Sequence, residues 1–200
     1  MVYEDFNNIN IKNCIGVYPV RESTEITARP LPELKFKSAL DVGCGTGFIS
    51  IYLRKLGFDC EGADINRTAV ECARQNAKIN SVKITFYISD LFENVNKEYD
   101  LIIFNPPISH CRFGSFNRCL NVIKSILPVK NQFILRLYYS LFKGQRVLLL
   151  KRFLSQVKNY LINNGKVVVL LTPDELSLIK DTSYKIIGGD ATMHVVLLNF

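Results

Sequence analysis

Four times between residues 38 and 104 this chain runs from a short apolar stretch into a turn that carries glycine, an acid or an amide. Residues 38–43 lead into helical spacing at 48–56, and Asp59–Asp64 leads into Arg67–Ile79, which is rich in helix formers. Residues 84–89 and Tyr99–Phe104 give the third and fourth strand signals. Strands alternating with helices predict a mostly parallel sheet wound on both faces. Downstream, residues 147–162 predict a helix, 166–172 a buried strand, 174–180 a short helix, and 184–188 and 193–200 two further strands. Seven strand signals in 200 residues fit one doubly wound α/β domain spanning 1–200. Residues 1–37 precede the first strand and are expected to form a lid over substrate or cofactor. The stretch 108–147 is long for one connection, so it is expected to elaborate the substrate side.

Apolar runs such as 101–104 and 167–171 are far shorter than the ~20 residues a membrane helix needs. The start, MVYEDFNN, carries acids where a signal peptide has basic and then apolar residues. A soluble, cytoplasmic protein without membrane contact is therefore expected. Cys14, Cys44, Cys60, Cys72, Cys111 and Cys119 form no CxxC and read as reduced, mostly buried thiols. His110, Cys111 and Cys119 lack a fourth ligand at a recognisable spacing, so no metal site is expected.

Charge is unevenly placed. Residues 1–100 hold 12 Lys+Arg against 14 Asp+Glu, whereas 101–200 hold 13 against 4, within a net charge of +7. No acid stands between Asp100 and Asp174. The run Arg112, Arg118, Lys124, Lys130, Arg136, Lys143, Arg146, Lys151, Arg152 and Lys158 is either a solvated face or a surface for an anionic partner, RNA or a ribonucleoprotein. It is expected to ring the mouth of the site.

Each of the four turns bears chemistry. Asp41-Val-Gly43-Cys-Gly45-Thr-Gly47 places bare glycine backbone at a strand end and a helix start, where a ligand can approach closely. Its G-x-G-x-G spacing departs from the dinucleotide fingerprint G-x-G-x-x-G. Asp64 can accept from both hydroxyls of a ribose, or simply cap the next helix. Ser89-Asp90-Leu91 puts an acid where an adenine amino group could donate. Asn105-Pro106-Pro107-Ile108 is the most specific: proline holds Asn105 extended and leaves the Pro106 carbonyl without a helical partner. The Asn105 oxygen and that carbonyl could both accept from one target –NH2.

DVGCGTG, GADIN, SDLF and NPP, in this order and spacing, resemble a class I S-adenosylmethionine-dependent methyltransferase over residues 38–200. The resemblance implies a Rossmann-like seven-stranded sheet with a reversed last strand. It also implies that Asp41, Gly43, Gly45 and Gly47 surround the methionine part of the cofactor. Asp64 would take the ribose, Ile65 the adenine face, and Asp90 and Leu91 the adenine edge. Asn105 would lie between cofactor and substrate. NPP marks the members that methylate nitrogen on a planar system, with Asn105 and Pro106 catalytic and Pro107, Ile108, Arg112 and Arg118 toward the substrate. Upstream, VYPVREST at 17–24 is similar to an element of the HemK family, whose members methylate the Gly-Gly-Gln glutamine of class 1 release factors, some of them with a small zinc-binding activator protein. HemK proteins have Tyr where this chain has Ile108, and some RNA guanine-N2 methyltransferases carry Ile there. The resemblance thus implies release factor glutamine methylation, with guanine-N2 or adenine-N6 methylation of RNA, and an inactive binding subunit, as the alternatives.

Overall fold

The computed structural model describes residues 2–4, 8–107 and 132–200, with side chains from 8–107 and 144–200. A seven-stranded sheet runs in the order β5-β4-β3-β6-β7-β9-β8. Its members are β3 (Ser38–Val42), β4 (Asp59–Asp64), β5 (Phe86–Ile88), β6 (Tyr99–Phe104), β7 (Leu161–Leu171), β8 (Tyr184–Gly189) and β9 (His194–Asn199). β5, β4, β3, β6 and β7 pair in parallel, and β9 runs antiparallel to both neighbours, so the reversed last strand is as expected.

Alternation divides the side chains between two cores. Ala39 of β3 and Leu101 and Ile103 of β6 face α1 (Glu22–Ala28), α2 (Phe48–Lys55) and α3 (Arg67–Ile79). Leu40, Val42, Ile102 and Phe104 face the opposite way, toward Phe92, Leu150 and Phe153. Phe153 belongs to α4 (Gln132–Gln156) and stacks 4.4 Å from Phe104 between ring centroids. The sequence expectation started this helix at residue 147. Apolar residues between 133 and 142 recur on every side of a helical wheel, so one-sided periodicity is missing there. The helix gives way to a 3-10 turn at Val157–Tyr160, and β7 begins five residues before its expected start. Those extra residues form an irregularity between Leu101 and Tyr99 of the neighbouring strand. No helix among the described residues is long and apolar enough to cross a membrane.

The N-terminal region departs most from expectation. β1 (Val2–Glu4) and β2 (Asn10–Lys12) form a small hairpin, and β2 docks on α3 through two asparagine amides. Asn10 N–H donates to Asn80 Oδ1 (3.0 Å) and Asn80 Nδ2 donates back to the Asn10 carbonyl (2.7 Å). Lys12 N–H donates to Asn76 Oδ1 (2.9 Å), and Asn76 Nδ2 donates to the carbonyls of Lys12 (3.2 Å) and Thr46 (2.9 Å). The same docking corrects the expectation of reduced thiols at two positions. Cys14 and Cys72 come to 6.1 Å between Cα atoms and are joined as a disulfide across a separation of 58 residues. Cys44 and Cys60 are free and buried, as expected.

Candidate active site

The four turns picked out in the sequence open on one cavity of about 1060 Å3 at the carboxyl end of the parallel strands. Asp41 lies near the end of β3 with Gly43 and Gly45 just after it, Asp64 ends β4 with Ile65 next, Asp90 and Leu91 follow β5, and Asn105 and Pro107 follow β6; all line it. The segment Gly16–Val20, with Thr24 of α1, closes one side, and Gln145, Leu148, Leu149 and Arg152 of α4 close another. The HemK-like element at 17–24 therefore reaches the cavity.

Gly43 and Gly45 adopt φ of +70° and +55°. A Cβ on Gly45 would meet nothing closer than 3.9 Å, so bare backbone faces a ligand there. Gly47 has a different task, and it is not part of the cavity wall. A Cβ on it would sit 2.8 Å from Ala73 Cβ, so its bare Cα lets α3 pack against the turn.

Asp41 is 2 % exposed, and Ser50 Oγ donates to its Oδ2 at 2.8 Å. Burial pushes this carboxyl up to about 7, despite the lowering effect of Ser50, and nearby Asp64 adds to the rise. Asp64 accepts from Gly45 N–H (2.9 Å) and Asn66 N–H (2.8 Å). Burial also raises its pKa, with those two bonds opposing. Asn66, not Asp64, caps α3, accepting from Thr68 N–H at 3.0 Å, so capping does not explain Asp64. Asp90 pairs with Arg152 Nη2 at 3.0 Å on the cavity wall. Leu91 is held at φ +52°, with Ser89 Oγ donating to its carbonyl, a conformation uncommon outside glycine.

The Asn105 amide has no hydrogen-bond partner among the described residues, although it lines the cavity. Pro106 differs from expectation: its carbonyl accepts from Arg146 Nη1 at 2.7 Å, and Pro107's carbonyl accepts from the same nitrogen at 2.9 Å. One acceptor position on Pro106 is therefore occupied by protein. Arg146 is itself 3 % exposed and ion-paired to Glu175, so it is not among charges ringing the mouth. The charge run had counted it by sign, and sequence gives no sign of its burial. Ile108, Arg112 and Arg118 lie outside the described residues.

A ligand carrying a cationic amine, a ribose diol and an aromatic base suits this wall. Buried Asp41 offers a counter-charge, Asp64 an acceptor for hydroxyls, exposed Ile65 an apolar cover, and Gly45 an uncovered backbone. The model of the methyltransferase small domain matches residues 8–126, most of the chain through the NPP turn. The chain belongs to the methyltransferase small domain family.

The family match makes this a methyltransferase domain, and similar proteins carry methyltransferase names. A protein named provisionally as an N5-glutamine methyltransferase, from Methanocaldococcus jannaschii, is 43% identical over 104 residues, covering 52% of this chain and 53% of that protein. The release factor glutamine methyltransferase of Lactococcus lactis is 26% identical over 153 residues, covering 74% and 53% respectively. The ribosomal RNA small subunit methyltransferase C of Hahella chejuensis is 40% identical over 88 residues, covering 43% and 26%. The chain thus spans about half the length of these relatives or less. Among solved structures, a methyltransferase from Pyrococcus furiosus superposes with TM-score 0.68 at 16% identity, covering 96% of this chain and 89% of that one. A Thermus thermophilus 16S rRNA guanine-N2 methyltransferase, solved with S-adenosylmethionine and guanosine, gives 0.64 at 16% identity, covering 90% and 43%. Both show the shared fold.

Proposed function

We propose that this methyltransferase domain modifies a planar amide nitrogen, the glutamine side chain of a class 1 release factor. The observation that carries the proposal is the Asn105 amide just after β6, unpartnered among the described residues, in the wall that also holds Asp41, Asp64 and Asp90. The name of the Lactococcus lactis relative, whose match covers 74% of this chain, supports the same substrate class.

When bound, the cofactor supplies an electrophilic methyl group on a sulfonium centre. Asp41 is assigned to its amine, Asp64 to its ribose hydroxyls, and Asp90 and Leu91 to its base, with Ile65 against the ring and Gly43 and Gly45 along its chain. Asn105 Oδ1 would accept from the target N–H and turn the nitrogen lone pair toward that methyl. The second target N–H is assigned to the lone pair of the Pro106 carbonyl that Arg146 leaves free. Pro107 borders the same space. Amide nitrogen is nearly non-basic, so no base of matched pKa need deprotonate it first, and its proton can leave to water after transfer. Positioning and exclusion of water then provide most of the acceleration.

Methylation of guanine or adenine nitrogen in RNA is the second reading, favoured by the Hahella chejuensis relative and by the basic run. Both substrates belong to translation, which supports a cytoplasmic setting for this reading. The test is transfer of radiolabelled methyl to a panel of release factor and bulk RNA, with and without a zinc-binding activator protein. Label on the release factor glutamine supports the proposal, and label confined to RNA replaces it. The salt dependence of substrate binding separates the same two: steep and log-linear for RNA, shallow for a protein.

A further inference from the structure

An Asn-Pro-Pro turn is rich in acceptors and poor in donors. Neither Pro106 nor Pro107 has an N–H, so the turn cannot knit itself together, and its carbonyls need donors from elsewhere. Pro106 is buried, which makes water a poor substitute. The donors come from one side chain, 39 residues further along the chain.

The Arg146 guanidinium has five N–H groups, and all five are committed. Nη1 donates to the carbonyls of Pro106 (2.7 Å) and Pro107 (2.9 Å). Nε and Nη2 donate to Glu175 Oε1 (2.7 Å) and Oε2 (3.1 Å), and Nη2 also donates to the Leu170 carbonyl (2.9 Å). Glu175 is 3 % exposed and is fixed in turn, because its Oε2 accepts from Thr172 N–H at 2.9 Å. The guanidinium therefore bridges the ends of β6 and β7, and it carries α4 with it. Nothing remains on it for a phosphate or a carboxylate of a substrate.

We infer that Arg146, clamped by Glu175, is the positioning residue of this methyl transfer: it fixes the Pro106 and Pro107 carbonyls and thereby sets where Asn105 presents its side chain. This rests on the reading of Asn105 as the group that holds the acceptor nitrogen. A guanidinium suits the task better than an ammonium, since its planar fork meets two carbonyls on one side and a carboxylate on the other. The same residue ties the α4 part of the cavity wall, with Gln145 and Leu148, rigidly to the Asn-Pro-Pro turn.

The test replaces the pair together, Arg146→Met with Glu175→Met, because exchanging a buried ion pair for apolar side chains leaves no orphaned charge and often preserves stability. Glu175→Gln keeps an acceptor for Arg146 and is measured in parallel, so a double variant that fails to fold does not end the test. Calorimetric titration with S-adenosylmethionine counts the competent sites in each variant. Single-turnover methyl transfer to a release factor is then expressed per cofactor-loaded site. A displaced turn is expected to slow that rate on the order of 100-fold, with cofactor affinity close to wild type. Arg146→Lys should recover part of the loss, since an ammonium can still reach both proline carbonyls. A merely structural pair would lower the number of competent sites and leave the rate per site unchanged, which overturns the inference. Crystal structures of the variants read the Asn105 side chain without any substrate. If wild type labels no release factor while Asn105 is displaced in the variants, the substrate reading fails and the positioning role stands. Asn105 unmoved overturns the positioning role whatever the substrate.

Discussion

Asp41→Asn should make the cofactor-free protein more stable at neutral pH and worse at binding its cofactor. The carboxyl has an ordinary value of 3.8 and is pushed by burial to about 7 in the folded chain. An acid raised on folding holds its proton more tightly in the folded state than in the unfolded one. Its contribution to stability is fully present below pH 3.8 and is lost as pH rises through about 7. The shift of roughly three pH units, at about 1.4 kcal/mol each, corresponds to about 4 kcal/mol of stability lost over that window. Asparagine is isosteric, cannot ionise, and keeps an oxygen for the 2.8 Å bond from Ser50. Urea unfolding of both proteins from pH 4 to pH 8 should therefore show a difference that grows from near zero to about 4 kcal/mol in favour of the variant. Cofactor binding should behave in the opposite sense. The ionised carboxylate is what pairs with a ligand amine, so wild-type affinity should tighten between pH 6 and pH 8 while the variant's stays weak and flat. Parallel stability curves, within about 0.5 kcal/mol at every pH, would refute the idea that an ionisable counter-charge is buried under the cofactor.

Asn105→Ala should abolish turnover and leave S-adenosylmethionine affinity within a few-fold, measured by calorimetry beside methyl transfer; near-normal transfer would remove the Asn-Pro-Pro turn from the chemistry. Asp64→Ala should weaken cofactor binding by about 3–6 kcal/mol, since it loses two charge-assisted hydrogen bonds that contribute about 1.5–3 each. It should also lower the melting temperature, because Gly45 and Asn66 N–H lose their acceptor; unchanged affinity would displace Asp64 from the ribose. Reduction of the Cys14–Cys72 bridge, or Cys14→Ser, should cost about 4 kcal/mol by loop closure over 58 residues. Alkylation of the unfolded, unreduced protein should leave those two thiols unlabelled, and labelling of both would show them reduced.

The sheet and the turns that face the cavity were legible because the signals are local. A buried parallel strand is a short apolar run, and the chemistry follows it within a few residues, as Asp64 follows Ala63 and Asn105 follows Phe104. Asp59–Asp64, Tyr99–Phe104 and Arg67–Ile79 match their sequence expectations at both ends. What stayed hidden depends on partners distant in sequence. α1 is seven residues, Glu22–Ala28, mostly polar, and held by its place beside α2 more than by any pattern of its own. Arg146 reads as one cation in a basic run, and only Glu175, 29 residues on, turns it inward. Thr172 and Glu175 do form a helix-start signature, but that spacing says nothing of a buried guanidinium. Cys14 and Cys72 carry no spacing rule, because a three-residue strand laid on a helix brings them together.

That strand is held in an unusual manner, since Asn76 and Asn80 offer β2 what a neighbouring strand would. Two residues along a strand advance about 6.8 Å and four along a helix about 6 Å, so alternate peptide groups of β2 fall opposite two amides one turn apart. Each amide both donates and accepts, as a backbone unit does. The address of the N-terminal segment is therefore written on the helix. Asn10 and Lys12 are bound through their peptide groups and can drift to almost any side chain without releasing the segment. The two asparagines can drift to nothing, because no other side chain of that length presents both an N–H and a carbonyl. Asn76 also grips Thr46 in the glycine turn, so one amide keeps the N-terminal segment, the helix and the floor of the cavity in a common register.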